Sequence, residues 1–412
     1  MRHTSVAYLN KEVLVISMKD KWKIYKIPSI SGNFDLFNFK KNKKIELKYF
    51  IPKYILAGKN QKEYPLNIDD DGYYLNLDYS AKLSGKNGFF NVEKLYSLVI
   101  PKNISWINET FEVLGLLQAE MGKTNNGCVV FANHEYQIIN KVIKWFEKEL
   151  EITHNDWRWY IKVNLNNPKS EKYKKEVEKK VIDHWLNKAK IKKEKAYPTT
   201  VSYIKNTKNK QLRFYDYGTL IIEYKRNLLS QILKRFVKEM SYSIPKLGEE
   251  ENKYFMKGIL AGESSITCRK KSGHYRIHLT ANESEERELY QKCLNNLGIR
   301  IFKYDNYKEM IISERENHMK LLKLRLLTLS HQKYNKFLYM IEQYDHFPEM
   351  KNYRIQFKNR TWHKIPEEKI NKIIELYESG TTRTVEIAEK LGVSKIKVNR
   401  VLRENNLGKR KV

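Results

Sequence analysis

Two glutamates, Glu120 and Glu263, each close an apolar stretch built on the same spacing. The first stretch is Val113-Leu114-Gly115-Leu116-Leu117-Gln118-Ala119-Glu120-Met121-Gly122. The second is Met256-Lys257-Gly258-Ile259-Leu260-Ala261-Gly262-Glu263-Ser264-Ser265. In each, a glycine stands five residues before the glutamate, and a small residue stands four after the glycine. Positions four apart share one face of a helix. Gly115 with Ala119, and Gly258 with Gly262, therefore give each helix a bare stripe that lets another backbone come close. If the two stripes pack together, Glu120 and Glu263 come side by side at the ends of their helices. Two neighbouring carboxylates form a hard-oxygen site suited to Mg²⁺ or Mn²⁺. One glycine stripe alone signals only tight packing. Two with equal offsets, each ending in Glu and each followed by a strand-like segment, point to a repeated unit with a site on its seam.

These residues resemble the LAGLIDADG family, best known as homing endonucleases. Val113–Met121 and Met256–Ser264 match its motif from first position to last, and Glu120 and Glu263 fall on the eighth, which holds the family's metal-binding acid. The sixth position is Gln118 or Ala261 rather than an acid, and the last is Met121 or Ser264 rather than Gly. The likeness covers roughly the middle 60% of the chain. It implies an α+β fold in which two αββαββα repeats form a pseudo-symmetric saddle over double-stranded DNA. It also implies a monomer performing Mg²⁺-dependent phosphodiester hydrolysis on both strands, with short 3′ overhangs and a site that need not be palindromic. In that analogy Glu120 and Glu263 hold the metals, which activate water and stabilise the leaving oxygen. The same analogy places a basic residue near each acid, and position in the pattern assigns Lys225 and Arg315.

Charge agrees with a polyanionic partner. Of 412 residues, Lys and Arg number 78 against 48 Asp and Glu, a formal net charge of +30. Neutralising phosphates releases counterions, which drives such a chain towards nucleic acid. A Lys-, Ile-, Asn- and Tyr-rich composition also gives a solvated lysine surface without a partner, but here Glu does not balance Lys. Cys128, Cys268 and Cys293 are scattered and lack metal-ligand spacing, which fits a reducing compartment. No apolar run reaches spanning length and Met1-Arg2-His3-Thr4 does not open a signal peptide, so a cytoplasmic protein with no membrane contact is expected.

In chain order, residues 1–105 read as a β-rich accessory domain. Val13–Ser17, Trp22–Ile27 and Tyr73–Leu77 are its expected strands, Asp69–Gly72 is a turn, and Lys40–Lys44 reads as a solvated loop or a phosphate contact. Repeat 1 spans 106–245. It carries a strand at Cys128–Asn133, a helix at Tyr136–Leu150, a strand at Trp157–Val163, and a charged helix inserted at Glu171–Lys195. Strands at Leu212–Asp216 and Gly218–Tyr224 and a helix at Leu228–Val237 complete it. Gly122-Lys123-Thr124 lacks the leading glycine of a P-loop, so ATP binding is not expected. Repeat 2 spans 246–348. A hairpin at Ser265–Thr280 follows its motif helix, then a helix at Glu283–Leu297, strands at Ile299–Lys303 and Glu309–Ser313, and two closing helices.

Residues 349–363 are a basic, aromatic linker, and 364–412 resemble a helix-turn-helix. There Ile387–Ser394 forms the turn region, with Ala388 permitting a close crossing and Gly392 the sharp bend. Lys395, Lys397, Asn399 and Arg400 are its candidate major-groove residues. On the strands after each motif, Thr267, Arg269, Arg276, His278 and Thr280 mix donors and acceptors as a base-reading face does; Asn133, Arg158 and Lys162 are the counterparts in repeat 1. The same residues also suit a solvated sheet face.

Two rivals share the resemblance. A transcriptional regulator of the WhiA type pairs a LAGLIDADG-like fold with a helix-turn-helix and binds DNA without cutting; dead relatives tend to lose the eighth-position acid, which this chain keeps twice. An RNA-splicing maturase uses the same saddle and implies intron RNA as the partner. A self-splicing intein is disfavoured, since the chain begins with Met and ends Arg-Lys-Val.

Overall fold

The computed structural model describes residues 34–58, 62–84, 91–122, 127–166, 170–204, 207–269, 274–304, 308–344, 366–381, 383–393, 395–405 and 407. The expected strands Val13–Ser17 and Trp22–Ile27 and the linker 349–363 lie outside these residues. The molecule mixes helices with several small sheets.

The amino-terminal part begins with α1 (Leu36–Asn42), capped by Asp35, whose carboxylate accepts from Phe37 N and Asn38 N. The run Lys40–Lys44 therefore ends a helix and starts a strand rather than forming a loop. The strands are β1 (Lys44–Glu46), β2 (Tyr54–Ala57), β3 (Lys62–Pro65), β4 (Asn67–Asp70), β5 (Tyr74–Ser84), β6 (Asn91–Pro101) and β7 (Asn103–Ser105). β1 pairs with β7, β2 with β3, and β4, β5 and β6 make a three-stranded antiparallel sheet. Their buried residues join one core with the rest of the body: Phe39, Phe50, Leu114 and Phe255 belong to a single cluster. Phe50 packs its ring on the edge of Phe236 at 5.2 Å.

Next come α2 (Asn108–Glu120), β8 (Val129–Asn133), α3 (Tyr136–Leu150), β9 (Arg158–Val163), α4 (Glu171–Lys188), β10 (Ala196–Tyr203), β11 (Thr219–Tyr224) and α5 (Asn227–Ser243). The sheet runs β10-β9-β11-β8. β9 shows why these residues form a strand: Trp159, Ile161 and Val163 alternate inward while Arg158, Tyr160 and Lys162 face out. In α3, Ile138, Ile139, Val142, Ile143 and Phe146 form one buried stripe at helical spacing. Met121 bridges Phe131, and Gly122 N donates to Val130 O at 3.1 Å, so the chain leaving α2 runs along the outer edge of β8.

The second half repeats the plan with α6 (Glu249–Glu263), β12 (Ser264–Arg269), β13 (His274–Thr280), α7 (Ser284–Asn296), β14 (Phe302–Tyr304), β15 (Glu309–Ile312), α8 (Arg315–Lys323) and α9 (His331–Ile341). Its sheet runs β12-β13-β15-β14. The order β13-β15-β14 has the same sense as β8-β11-β9, with Met121–Gly122 standing where β12 stands. β10 is an addition, parallel to β9 and reached through α4. Leu212–Asp216, expected as a strand, turns instead: Asp216 N donates to Arg213 O at 2.9 Å, and Asp216 Oδ1 accepts from Gly218 N at 3.0 Å. Gly218 has φ +73°, and a Cβ there would lie 2.5 Å from Lys162 O.

The carboxyl-terminal part holds α10 (Glu367–Glu378), α11 (Thr384–Leu391) and α12 (Lys395–Glu404). They close on their own small core of Ile373, Ile387, Ala388, Val398, Val401 and Leu402. Gly392 ends α11 at φ +61°, a left-handed position that suits glycine. Ser394, the end of the expected turn region, lies outside the described residues. Among the described residues no helix is long and apolar enough to cross a membrane.

Candidate active site on the helix seam

α2 and α6 cross backbone to backbone. A Cβ on Gly115 would lie 2.1 Å from Phe255 O and 3.0 Å from Gly258 Cα; a Cβ on Gly258 would lie 2.2 Å from Glu112 O and 2.6 Å from Leu116 N. No side chain larger than hydrogen fits at either point. Val113, Leu114, Leu116, Leu117, Phe255, Met256, Ile259 and Leu260 are all buried around the crossing. Further along, Gly262 faces Ala119, whose Cβ would be 2.5 Å from an added Cβ.

Glu120 is the last residue of α2 and Glu263 the last of α6. The bare Gly262 makes room for Glu120: an added Cβ would lie 3.2 Å from Glu120 Cγ and 3.5 Å from its Oε1. Glu120 therefore lies against the residue that precedes Glu263. Both carboxylates sit at helix C-termini, where the backbone dipole is already negative. Such a place calls for a cation.

Lys333, in the first turn of α9, is the cation the fold brings there. Its Nζ donates to Ala261 O at 2.6 Å, Gly262 O at 2.7 Å and Leu260 O at 3.3 Å, the last carbonyls of α6. Burial pushes this ammonium down to about 8, opposed by Glu120, Glu135 and Glu263. Burial raises the Glu120 carboxyl above its ordinary value, and Lys333 opposes that rise. The two shifts show each group out of bulk water and within reach of the other's field.

A third carboxylate, Glu135, fixes where Lys333 stands. It is buried at the start of α3 and accepts from Ser330 Oγ and, at 3.2 Å, from Gln332 N. Ser330 in turn caps α9, accepting from Lys333 N at 3.2 Å. Beside this joint, His134 bonds Gln332 at 3.0 Å and Gln137 bonds His331 at 3.1 Å. Gln118, at the sixth motif position, donates to Glu286 Oε1 at 3.2 Å, next to the buried Tyr290.

The outer sheet faces carry most of the remaining sequence candidates. On β9, the Arg158 guanidinium lies 4.2 Å from the Tyr197 ring centroid and Lys162 Nζ 5.8 Å from that of Tyr160. Lys225 Nζ sits 5.0 Å over the same Tyr197, whose hydroxyl donates to Glu223. Tyr197 and Glu223 complete this patch, yet neither stands in a motif. On β12 and β13, Thr267 pairs with Arg276 and Arg269 with His274. His278 Nδ1 bonds Glu309 at 2.7 Å, and Thr280 pairs with Glu309 across the strands. Asn133 is buried, and its Oδ1 accepts from Glu135 N at 2.9 Å, so it serves the turn into α3 and does not face outward. The Arg315 guanidinium lies 5.9 Å from the Tyr344 ring. In α12, Lys395 and Arg400 are exposed and Asn399 is half-buried, while Lys397 Nζ lies 4.9 Å over the ring of Tyr215.

Among the described residues no group of three or more His, Cys, Asp and Glu could hold a metal ion. The seam supplies two carboxylates. That set fits Mg²⁺, which commonly takes one or two carboxylates and completes its shell with water and phosphate oxygens.

No family model and no curated protein matches the chain. Solved structures match at low identity. Full-length WhiA from Thermatoga maritima is 12% identical, over 73% of this chain and 92% of that one, with a TM-score of 0.31. The N-terminal LAGLIDADG domain of WhiA is 14% identical over 55% and 84%, with a TM-score of 0.27. The homing endonuclease I-DmoI in complex with DNA and Ca is 15% identical over 56% and 95%, with a TM-score of 0.32.

Proposed function

We propose that this chain is a site-specific double-strand DNA endonuclease of the LAGLIDADG type. In this reading it is a monomer whose two repeats straddle the duplex, with α10–α12 acting as a helix-turn-helix that adds a second contact. The observation that carries it is the seam: two helices in glycine contact, each ending in a glutamate, with Glu120 laid against the residue before Glu263. Glu120 and Glu263 are the residues that would hold Mg²⁺ or Mn²⁺. A divalent ion there supplies a polarised phosphoryl oxygen and a more acidic bound water. Arg158, Lys162, Arg269 and Arg276 offer cations to the DNA backbone from the outer sheet faces, and Thr267, His278 and Thr280 offer hydrogen-bonding groups to base edges. Lys225 and Arg315 remain the assignments for stabilising phosphate charge.

The second reading is a DNA-binding regulator without chemistry. Lys333 favours it, because the seam already has a resident cation. One experiment separates the two. A randomised duplex library is incubated with Mg²⁺ and the protein, and both bound and cut molecules are sequenced beside Glu120→Gln and Glu263→Gln. Cut ends on one long motif, lost in both variants while binding persists, establish the endonuclease. Cutting by either variant at the native rate sinks the assignment, and binding to one motif without cutting moves the chain to the regulator.

A further inference from the structure

Four features of the seam concentrate negative charge: the carboxylates of Glu120 and Glu263 and the C-terminal ends of the two helices that carry them. Against these the fold sets the ammonium of Lys333. It is not a wandering surface lysine. Lys333 Nζ is bound by three consecutive carbonyls of α6, and the turn that carries it is clamped from the other repeat by Glu135 through Ser330 and Gln332 N. A side chain held at both ends in this way has a fixed position relative to both acids.

We infer that Lys333 is a positioning residue acting as the built-in cation of the seam, neutralising part of its charge and thereby weakening its hold on a divalent ion. This rests on the two-acid reading given above. The physical reason is simple. Two carboxylates alone would present two negative charges to an arriving metal; with the ammonium beside them the sum is one. A metal must approach against the repulsion of Lys333, and its binding stays weak until phosphate oxygens from DNA add negative charge of their own. Lys333 thus makes metal binding depend on the presence of the nucleic acid, whichever chemistry follows. Glu135 holds the turn that carries Lys333 and adds its own negative charge to the field at the ammonium.

The test is calorimetric titration of Mn²⁺ into the full chain without DNA. The proteins compared are the native one, Lys333→Gln, Lys333→Met, Lys333→Arg and the double variant Glu120→Gln/Glu263→Gln. Removing the charge is expected to tighten Mn²⁺ binding about tenfold, a typical size for deleting one nearby charge in a partly buried site. Lys333→Arg keeps the charge and should bind as the native protein does. Two neutral variants are used so that a folding defect in one, seen by circular dichroism, leaves the other to decide. Native-like or weaker Mn²⁺ affinity in the folded neutral variant overturns the inference about Lys333 while leaving the acids in place. Native-like Mn²⁺ binding by the double glutamine variant overturns the two-acid reading itself.

Discussion

Gly115 and Gly258 touch across the helix crossing: a Cβ on the first would come within 3.0 Å of the Cα of the second. The nearest obstacles are backbone atoms, Phe255 O at 2.1 Å and Glu112 O at 2.2 Å, which cannot swing aside as a side chain can. Gly115→Ala and Gly258→Ala must therefore push the helices apart. Each is expected to cost about 3 kcal/mol, at the upper end for overpacking. Gly262→Ala meets mainly side-chain atoms of Ala119 and Glu120 and should cost less, while displacing Glu120. Urea unfolding of the three variants checks the order; equal midpoints for Gly115→Ala and the native protein would contradict it.

His318 makes stability depend on pH. It is fully buried on α8, between Ile312 O at 3.3 Å from Nε2 and the Tyr344 hydroxyl at 2.7 Å from Nδ1. A carbonyl can only accept, so Nε2 carries the proton and Nδ1 accepts from Tyr344. Burial lowers the folded-state value to about 4, against an ordinary 6.5. The unfolded chain therefore binds the extra proton first as pH falls. The contribution is fully present above 6.5 and is lost as pH drops from 6.5 towards 4, amounting to about 3 kcal/mol. His184, also lowered to about 4, acts with the same sign. His318→Phe should flatten the loss of stability between pH 6.5 and 4 without abolishing it, as read by urea midpoints across that range.

The seam was legible in the sequence because its information is local. Glycine, small residue and glutamate lie within one helix, so their shared face follows from helical periodicity alone. Lys333 and Glu135 were not legible, because what makes them matter is contact with residues far away in the chain. Nothing near Ser330-His331-Gln332-Lys333 marks a lysine aimed at a helix end. Asn133 shows how phase misleads: in β8 the inward set is Val129, Phe131 and Asn133, so the polar residue at the strand's end falls inside and is taken by the turn. The stretch Leu212–Asp216 has strand-like composition. The Asp216–Gly218 turn overrides it, and its aromatic rings receive lysines instead of pairing into a sheet.

Gln231 substitutes for a strand neighbour. Its amide accepts from Leu56 N at 3.1 Å and donates to Leu56 O at 2.8 Å, tying β2 to α5 inside the core. Gln231→Leu keeps the volume and leaves Leu56 N buried without its partner, while Leu56 O keeps the Asn227 amide at 2.8 Å. A loss of about 2 kcal/mol is expected, with earlier proteolytic cleavage near residues 54–65. A native cleavage rate and an unchanged midpoint would show that water or another group replaces the amide.

The tail's attachment rests on aromatic rings of the 213–217 turn. Lys369 Nζ lies 4.7 Å from the Phe214 centroid and Lys397 Nζ 4.9 Å from that of Tyr215, while Lys180 of α4 reaches Phe214 and Tyr217 from the body. Each such contact contributes roughly 0.5–1 kcal/mol where the cation is partly exposed. Removing two rings at once, in Phe214→Ala/Tyr215→Ala, should therefore shift the docked population of α10–α12 by roughly tenfold. The three helices keep their own core of Ile373, Ile387 and Val398, so they should remain folded when released. Hydrogen exchange separates the two effects. Faster exchange is expected at backbone groups of the 213–217 turn, with protection retained inside α10–α12. In the proposed reading, Lys397 must leave Tyr215 before it can meet a phosphate, so the same variant should bind duplex DNA more tightly at low salt. Weaker binding would mean that the docked arrangement itself is the one that meets DNA.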